Sequence, residues 1–339
     1  MYENMDLLEN LPNSKINLEL YVDESKQRQY NGETITYIMI MAIPSDKKEY
    51  IFSKLNNARC LNEKPQKFET CTNNCRYHSG NNIEIHYSKI NTDRITNIIA
   101  QRWLDILLQN NFKNDNAIFF NILGINETNI NLEFFGSENQ FGNIYCRFFR
   151  TALLRLLRMF NSYDEIIVDK IYHDSTNEME EHPYFKTSAI KNITLQELIK
   201  EERKIFFKTS FIEFIDSNHK QGLLKESQFI QFVDLILGCT TNAIHNSANN
   251  INKKALTEKI YPLVYRILSP KPKFNSSYNY FNKQSISFFP KYTKEKLEEF
   301  YGTLSNEVLE RILHSSANFE NTKQLLFKPD DGQQSFFDF

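Results

Sequence analysis

The order of the hydrophobic patterns along the chain constrains its fold more than any other feature. Residues 16–25 (INLELYVDES) alternate apolar and polar side chains, and residues 34–44 (TITYIMIMAIP) are rich in residues that favour strands. The Asn31-Gly32 pair between these two segments predicts a hairpin. Residues 81–88 predict a third strand, after which helical and strand patterns alternate. This order predicts an α/β fold with a mixed sheet flanked by helices.

The later segments divide the chain into a large domain and two smaller C-terminal parts. Strands are predicted over 117–125, 164–172 and 211–216, and helices over 91–110, 140–160, 191–207 and 227–245. From residue 252 the pattern is helical, over 252–268 and 293–315, and a polar stretch with an aromatic end follows. We therefore expect a domain over 14–245, a C-terminal helical appendage over 250–315 and a flexible tail over 316–339.

Composition excludes several classes of protein. The chain has 40 Lys plus Arg against 42 Asp plus Glu, a formal charge of −2, which excludes a polybasic nucleic-acid coat protein. Five cysteines, an odd number, favour reduced thiols over a disulfide framework. The N-terminus lacks the positive region of a secretory signal, and no apolar run approaches the roughly 20 residues that cross a bilayer. We expect a cytoplasmic protein with no membrane partner.

Several acids stand at strand ends or inside apolar segments, where an unpartnered carboxylate is costly. Asp23 and Glu24 end the first predicted strand, and Asp169 interrupts the apolar run of a later one. Asp234 lies in a nearly apolar helix, on one stripe with Gln231 and Gly238 at about 100° per residue. Gly238 would let another group approach that stripe closely. For any one acid, a capping or hydrogen-bonded core role is the alternative.

Acids gathered from separate elements of one sheet indicate a divalent cation, because like charges otherwise raise each other's pKa. Mg²⁺ and Mn²⁺ prefer oxygen ligands and also bridge phosphate oxygens. Hydrolysis of phosphodiester bonds is the chemistry that such a site favours.

Four sequence blocks resemble a known bacterial family. They are YVDES (21–25), EIH (84–86), EIIVD (165–169), and FIDSN with SQFIQFVDLILG between 214 and 238. In this order they resemble the family catalogued as domain of unknown function 3800, which belongs to the RNase H-like superfamily. The chain departs from the family pattern at Lys26, where a glycine is usual, and at Val233, where an alanine is usual.

The resemblance implies an RNase H-like fold over about residues 14–245 and a set of site residues. Asp23, Asp169 and Asp234 match the acids of the first strand, the central strand and the last helix, and Glu84 and His86 match a Glu-x-His block. We expect these three aspartates to bind Mg²⁺ or Mn²⁺, with Glu84 or Glu24 as an additional ligand or orienting acid. Gln231 and His86 would orient ligands or the attacking water.

These expectations lead to a metal-dependent nuclease that acts on DNA or RNA, and the resemblance suggests phage defence or a mobile element as its context. One alternative is a non-catalytic adaptor of the same fold that binds nucleic acid or the sliding clamp. Another is a toxin-like RNase acting on structured RNA, since one fold hosts both chemistries.

A basic helix face is a second indication of nucleic acid. In the helix predicted over 140–160, four arginines fall within an arc of about 140°, opposite the apolar side chains: Arg147, Arg150, Arg155 and Arg158. Such a face could contact a phosphate backbone. A solvated face that pairs with nearby acids is the alternative.

Two clusters offer other metal ligands. Cys60, Cys71, Cys75 and His78 lie within 19 residues and could bind structural Zn²⁺, although free thiols in a loop are the default interpretation. The second cluster, after the predicted strand 164–172, is interpreted as a solvated loop from which Asp174 or His173 could assist the metal site: His173, Asp174, Glu180, Glu181 and His182.

The C-terminal peptide is similar to the pentapeptide that binds the bacterial sliding clamp. Gln333, Ser335, Phe336 and Phe337 match the pattern Gln-x-Ser/Asp-Leu-Phe, with Phe336 in place of leucine. We expect this tail to dock on a clamp through the glutamine and two apolar anchors. In the alternative, the aromatic side chains fold back onto the body of the protein.

Overall fold

The computed structural model describes residues 14–61, 83–268 and 283–290, except for positions 31, 92, 113–115, 139, 161, 176–179, 183–184, 186–203, 210, 219–223 and 249. The strands are β1 (Lys15–Tyr30), β2 (Glu33–Pro44), β3 (Phe119–Asn126), β4 (Glu165–Asp174), β5 (Lys204–Phe207), β6 (Glu213–Ile215) and β7 (Gln284–Phe289). The helices are α1 (Lys48–Asn57), α2 (Arg94–Phe112), α3 (Gln140–Arg158), α4 (Leu224–His245) and α5 (Ile251–Leu268).

The described strands form one mixed sheet in the order β5-β4-β1-β2-β3-β7, with β6 also paired to β4. β1, β2 and β3 form an antiparallel unit, whereas β4 runs parallel to β1 and β7 runs parallel to β3. The predicted hairpin is present: Tyr30 pairs with Glu33, and Gly32 adopts φ +86°, a left-handed conformation that suits glycine. The prediction of a mixed sheet flanked by helices is therefore confirmed.

Two hydrophobic cores cover the two faces of this sheet. Along β2, Met39 and Met41 face the core that also contains apolar residues of α1, α2, α4 and α5. Ile38 and Ile40 face the other core, which contains the apolar side of α3. Since β2 is buried on both faces, its sequence is a continuous apolar run rather than an alternating one.

Two predicted elements are wrong. Residues 83–90 form no strand: they are extended and then make a 3₁₀ turn over Tyr87–Lys89. Their backbone N–H groups bond to side chains of α4 instead of a neighbouring strand, as described below. The helix predicted over 191–207 is wrong at its C-terminal end, because residues 204–207 form β5. Residues 191–203 lie outside the described residues.

The predicted C-terminal helical appendage also differs from the structure. α5 confirms the helix predicted over 252–268, but β7 follows it and extends the sheet beside β3. Phe288 of β7 contacts the Tyr37 ring, with centroids 6.3 Å apart. Gly124 of β3 makes room for this contact, since a Cβ there would lie 2.7 Å from the Tyr37 ring. α5 and β7 thus contribute to the main body, and the helix predicted over 293–315 lies outside the described residues.

No helix in the described ranges combines the length and the apolar character needed to span a membrane.

Candidate active site

Two neighbouring parallel strands place Asp23 and Asp174 side by side. The register pairs Tyr21 of β1 with Tyr172 of β4, and their rings stack with centroids 5.3 Å apart, so both point to the same face. Because side chains alternate along a strand, the residues two positions further on point to that face as well. Asp23 and Asp174 therefore both line one cleft, of about 220 Å³, at the end of β4.

Helix α4 contributes the third acid. It packs on the same face of the sheet, where the Phe229 ring lies 4.6 Å from the Tyr21 ring. Further along α4, Asp234 reaches the same cleft. The cleft thus collects three carboxyl groups from two strands and one helix, as the acid-rich pattern predicted, although one of the three residues is not the predicted one.

The predicted stripe on α4 is occupied by the chain itself. Gln231 accepts a hydrogen bond from the backbone N–H of Ile85 at 3.0 Å, and Asp234 accepts one from the N–H of Tyr87 at 2.5 Å. At Gly238, a Cβ would lie 2.2 Å from Cγ of Tyr87, so only glycine leaves space for this ring. The close approach expected at Gly238 is present: the Tyr87 ring packs against this glycine and so holds residues 83–88 against α4.

The three acids resist ionisation. Burial, followed by repulsion from Asp234 and Glu24, raises the pKa of Asp23 well above its usual range. Burial and Asp234 also raise the pKa of Asp174, to about 6. Burial raises the pKa of Asp234, and the nearby His86 and the Tyr87 N–H partly offset this effect. Like charges crowded in a desolvated cleft therefore favour either bound protons or a bound cation.

The carboxylate oxygens of the three aspartates are suitable ligands for a hard divalent cation, but they are not arranged around a single ion. Within the described ranges, no three His, Cys, Asp or Glu side chains are placed to ligate a single metal ion. Instead, the raised pKa values of Asp23 and Asp234 favour a bound proton in the cleft. Carboxylate oxygens are the ligands that Mg²⁺ and Mn²⁺ prefer, so a cation would compete with that proton.

Asp169, predicted as the central-strand ligand, lies outside this cluster. Its carboxylate bonds to Lys208 Nζ at 2.6 Å, Ser45 Oγ at 2.7 Å and the Asn17 amide at 3.1 Å. These partners lower its pKa against the opposing effect of burial. Asp169 lies in the middle of β4, at the register irregularity beside Leu18 and Glu19 of β1, whereas the cleft is at the carboxyl end of β4. In the structure, Asp174 and not Asp169 is the β4 acid that lines the cleft.

Glu24 borders the cleft, but its carboxylate is on the opposite face of the sheet from Asp23. Glu24 Oε2 lies 3.7 Å from His173 Nε2, and Tyr145 of α3 contacts the same nitrogen at 2.6 Å. The other ring nitrogen of His173 lies 2.7 Å from the carbonyl oxygen of Asp174. Burial lowers the pKa of His173 to about 4, so this histidine is neutral. His173 does not line the cleft of the three aspartates, whereas Glu24 lines it with its carboxylate directed towards His173.

The remaining predicted catalytic residues take different places. Glu84 pairs with Lys89 at 2.5 Å, outside the cleft. His86 lines the cleft, with Nδ1 at 3.4 Å from Asp234 Oδ2. Gln231 is fully buried and does not reach the cleft, because its amide bonds to the backbone of Ile85 and of Ser217. Of these three residues, the structure brings only His86 to the acids.

A buried arginine that the sequence analysis missed completes this arrangement. Arg59 donates to the carbonyl oxygen of Ile83 at 2.6 Å, to Gln231 at 2.9 Å and to Gln228 at 3.3 Å. It therefore fixes both α4 and the segment that carries His86. No sequence pattern marks Arg59, since its partners come from two distant parts of the chain.

The predicted arginine face lies away from the acidic cleft. The apolar side of α3 packs on the sheet face opposite to Asp23, so the helix and the cleft are on different sides of the sheet. Arg155 donates to Ser285 of β7 at 2.9 Å, and burial lowers its pKa to about 10. This arginine serves packing, and Arg147, Arg150 and Arg158 have no place in the cleft.

The other predicted sites fall largely outside the described residues. Cys60 is buried after α1, but Cys71, Cys75 and His78 are not described, so the zinc site stays a prediction. The clamp peptide also lies beyond the described residues. In the predicted loop cluster, His182 is buried and its Nδ1 lies 3.4 Å from Cys146 Sγ.

No protein-family model matches this chain, and a search of curated proteins finds no match. The resemblance to the family of unknown function therefore stays a prediction.

Proposed function

We propose that this chain is a metal-dependent nuclease of RNase H-like fold, with Asp23, Asp174 and Asp234 as its acidic centre. The observation that carries the proposal is the convergence of these three carboxyl groups on one cleft. Acids with a purely structural role are usually stabilised by donors, as Asp169 is by its lysine, hydroxyl and amide partners. The three cleft acids are instead held with raised pKa values, which is typical of functional sites.

The topology is consistent with this assignment. An antiparallel β1-β2-β3 unit continues into parallel β4 and β5, and helices pack on both faces. The acids lie at the carboxyl end of β4, the edge where ligands bind in open α/β sheets. The assignment to a context of phage defence or a mobile element rests on the family resemblance alone.

The shape of the cleft favours a polymer substrate. Its volume, about 220 Å³, is below the range of roughly 300–1,000 Å³ that encloses small molecules. A segment of a nucleic-acid strand that passes through such a cleft needs less enclosed volume than a small molecule does. The mixed sheet and α4 hold the carboxyl groups in place, so little rearrangement is needed when substrate binds.

Asp23, Asp174 and Asp234 would hold Mg²⁺ or Mn²⁺. A bound divalent cation lowers the pKa of a water molecule and offsets charge on the leaving oxygen of a phosphodiester. The protein's own residues then have defined tasks. The Tyr87 N–H orients Asp234, and His86, 3.4 Å from that carboxylate, is placed to exchange a proton at the cleft.

The test compares cleavage of labelled single- and double-stranded DNA and RNA in Mg²⁺, Mn²⁺ or EDTA. Asp23→Asn and Asp174→Asn should lower the rate by more than about 100-fold, because each removes a metal ligand. Asp169→Asn is the matched control: it changes an acid of the same strand outside the cleft and should keep near wild-type activity. Thermal unfolding of each variant would show that the fold is retained.

Two results would contradict the proposal. In the first, Asp174→Asn cleaves as fast as wild type. In the second, calorimetry detects no Mn²⁺ binding while the protein binds oligonucleotide or sliding clamp without metal, which would indicate the adaptor instead. The substrate panel itself separates DNA cleavage from the RNase alternative.

A further inference from the structure

The acidic cleft has two basic side chains at its rim. Arg28 of β1 is exposed and lines the cleft beside Asp234. Lys253, in the first turn of α5, donates to the carbonyl oxygen of Ser88 at 3.2 Å and lies 5.0 Å from the centre of the Tyr87 ring. Ser88 and Tyr87 line the cleft, so Lys253 lies next to it on the side of α5, although Lys253 does not itself line it.

These two cations differ from the lysines nearby. Lys89, Lys48 and Lys208 each form an ion pair with a carboxylate, at distances of 2.5–2.9 Å. Within the part of the chain that the structure describes, neither Arg28 nor Lys253 has a carboxylate in ion-pair range. Burial and repulsion from Arg28 lower the pKa of Lys253, and attraction to Asp234 only partly opposes them. An anion placed between them would offset this repulsion.

The chemistry of the rim specifies which anion. Hydroxyl groups of Ser25, Ser88 and Thr241 line the same cleft. The Ser88 hydroxyl bonds to His86 Nδ1 and the Thr241 hydroxyl donates to the Gly238 carbonyl oxygen, so these hydroxyls would turn to donate to a bound anion. A guanidinium, an ammonium and hydroxyl donors together match a phosphate, which accepts several hydrogen bonds and carries charge. A carboxylate ligand would satisfy fewer of these donors.

We propose that Arg28 and Lys253 bind a backbone phosphate of the substrate strand next to the one that faces the three aspartates. This inference rests on the proposed nuclease function only for the identity of the strand. Acids alone repel a polyanion, so two cations at the rim would hold the strand over the carboxyl groups. The cleft would then contact the phosphate backbone and not the bases, so binding would not depend on the base sequence.

The test measures binding of a fluorescent single-stranded oligonucleotide by the full chain in EDTA, where no cleavage occurs. Arg28→Gln and Lys253→Gln should each weaken binding about 5- to 10-fold and reduce the slope of log affinity against log salt by about 0.7. Lys254→Gln is the matched control, because Lys254 is exposed on the same helix and, unlike Lys253, its side chain bonds to no cleft residue among those that the structure describes. It should bind as wild type does.

A methylphosphonate oligonucleotide, whose backbone is uncharged, supplies the second readout. With this ligand the wild type and the two cleft variants should bind equally. Unchanged affinity and salt slope in Arg28→Gln and Lys253→Gln, or no oligonucleotide binding by the wild type, would overturn the proposal. So would an equal loss of affinity in Lys254→Gln.

Cleavage assays separate this inference from the proposed function. If no variant or wild type cleaves any substrate, yet the two cleft variants lose affinity, the phosphate site stands and the nuclease assignment fails. If cleavage requires Asp174 but neither affinity nor KM changes in Arg28→Gln and Lys253→Gln, the phosphate site alone fails.

Discussion

Replacing Gly238 by alanine tests how closely residues 83–88 are seated on α4. The added Cβ would lie 2.2 Å from Cγ, 2.3 Å from Cδ1 and 2.6 Å from Cβ of Tyr87. Normal carbon contacts are about 3.5–4.0 Å, so the ring must move by more than about 1 Å. Rotation of the ring about its Cβ–Cγ bond cannot relieve the clash, because that rotation leaves Cβ and Cγ of Tyr87 in place. The displacement would also stretch the bond from the Tyr87 N–H to Asp234.

Two opposing terms decide the magnitude. Overpacking of this kind costs about 1–3 kcal/mol, whereas glycine to alanine in a helix interior gains about 1 kcal/mol. Three contacts of 2.2–2.6 Å place the overpacking cost in the upper part of that range, so we expect Gly238→Ala to lower the free energy of unfolding by about 1–2 kcal/mol. Urea unfolding followed by Trp103 fluorescence measures this change. Trp103 is the single tryptophan of the chain, and its ring lies 5.9 Å from Phe232 of the same helix.

The same substitution in a variant that lacks the Tyr87 side chain should have the opposite effect on stability. Tyr87→Gly removes all three clashing atoms, so adding Gly238→Ala to that variant should raise stability by about 0.5–1 kcal/mol. A destabilising effect in both backgrounds would mean that the alanine clashes with something other than Tyr87. If Gly238→Ala is neutral or stabilising in the wild-type background, the reasoning about this contact is refuted.

Two further predictions concern the charge and the buried frame of the site. Because burial raises the pKa of Asp174 to about 6, the folded protein binds more protons than the unfolded chain between about pH 4 and 6, and this group's contribution to stability falls as the pH rises. In EDTA, the thermal midpoint of Asp174→Asn minus that of wild type should therefore increase as the pH is raised from about 4 to about 7. His173, whose pKa burial lowers to about 4, acts in the opposite direction in both proteins and cancels in the difference. The difference then reports Asp174 together with the repulsion that it exerts on Asp23, and a constant difference would contradict the sign. Arg59→Met should lower the free energy of unfolding by about 3 kcal/mol. It removes the donor to the Ile83 carbonyl and to the Gln228 oxygen, while the Gln231 oxygen keeps its bond from the Ile85 N–H; denaturant unfolding measures this loss. A loss no larger than that of exposed Arg158→Gln would contradict the buried role of Arg59.

Sequence patterns predicted much of the fold because the local signals are strong. The continuous apolar run of β2 and the Asn31-Gly32 pair predicted a strand and a hairpin, and the structure contains both. The helical periodicities that correspond to α2, α3, α4 and α5 were also sufficient to place those helices. β7 was missed because its six residues gain their stability from pairing with β3, which no local pattern indicates.

Within the candidate site, the sequence by itself determined Asp23, Asp234 and the glycine that leaves space on α4, since each residue stands out against its local pattern. Only the tertiary structure decided that Asp174, and not Asp169, joins them. That choice depends on the parallel register of β1 and β4, which sets Val22 beside His173 and so carries the next residue of each strand to the cleft. Register results from long-range pairing, and a residue's neighbours along the chain do not reveal it.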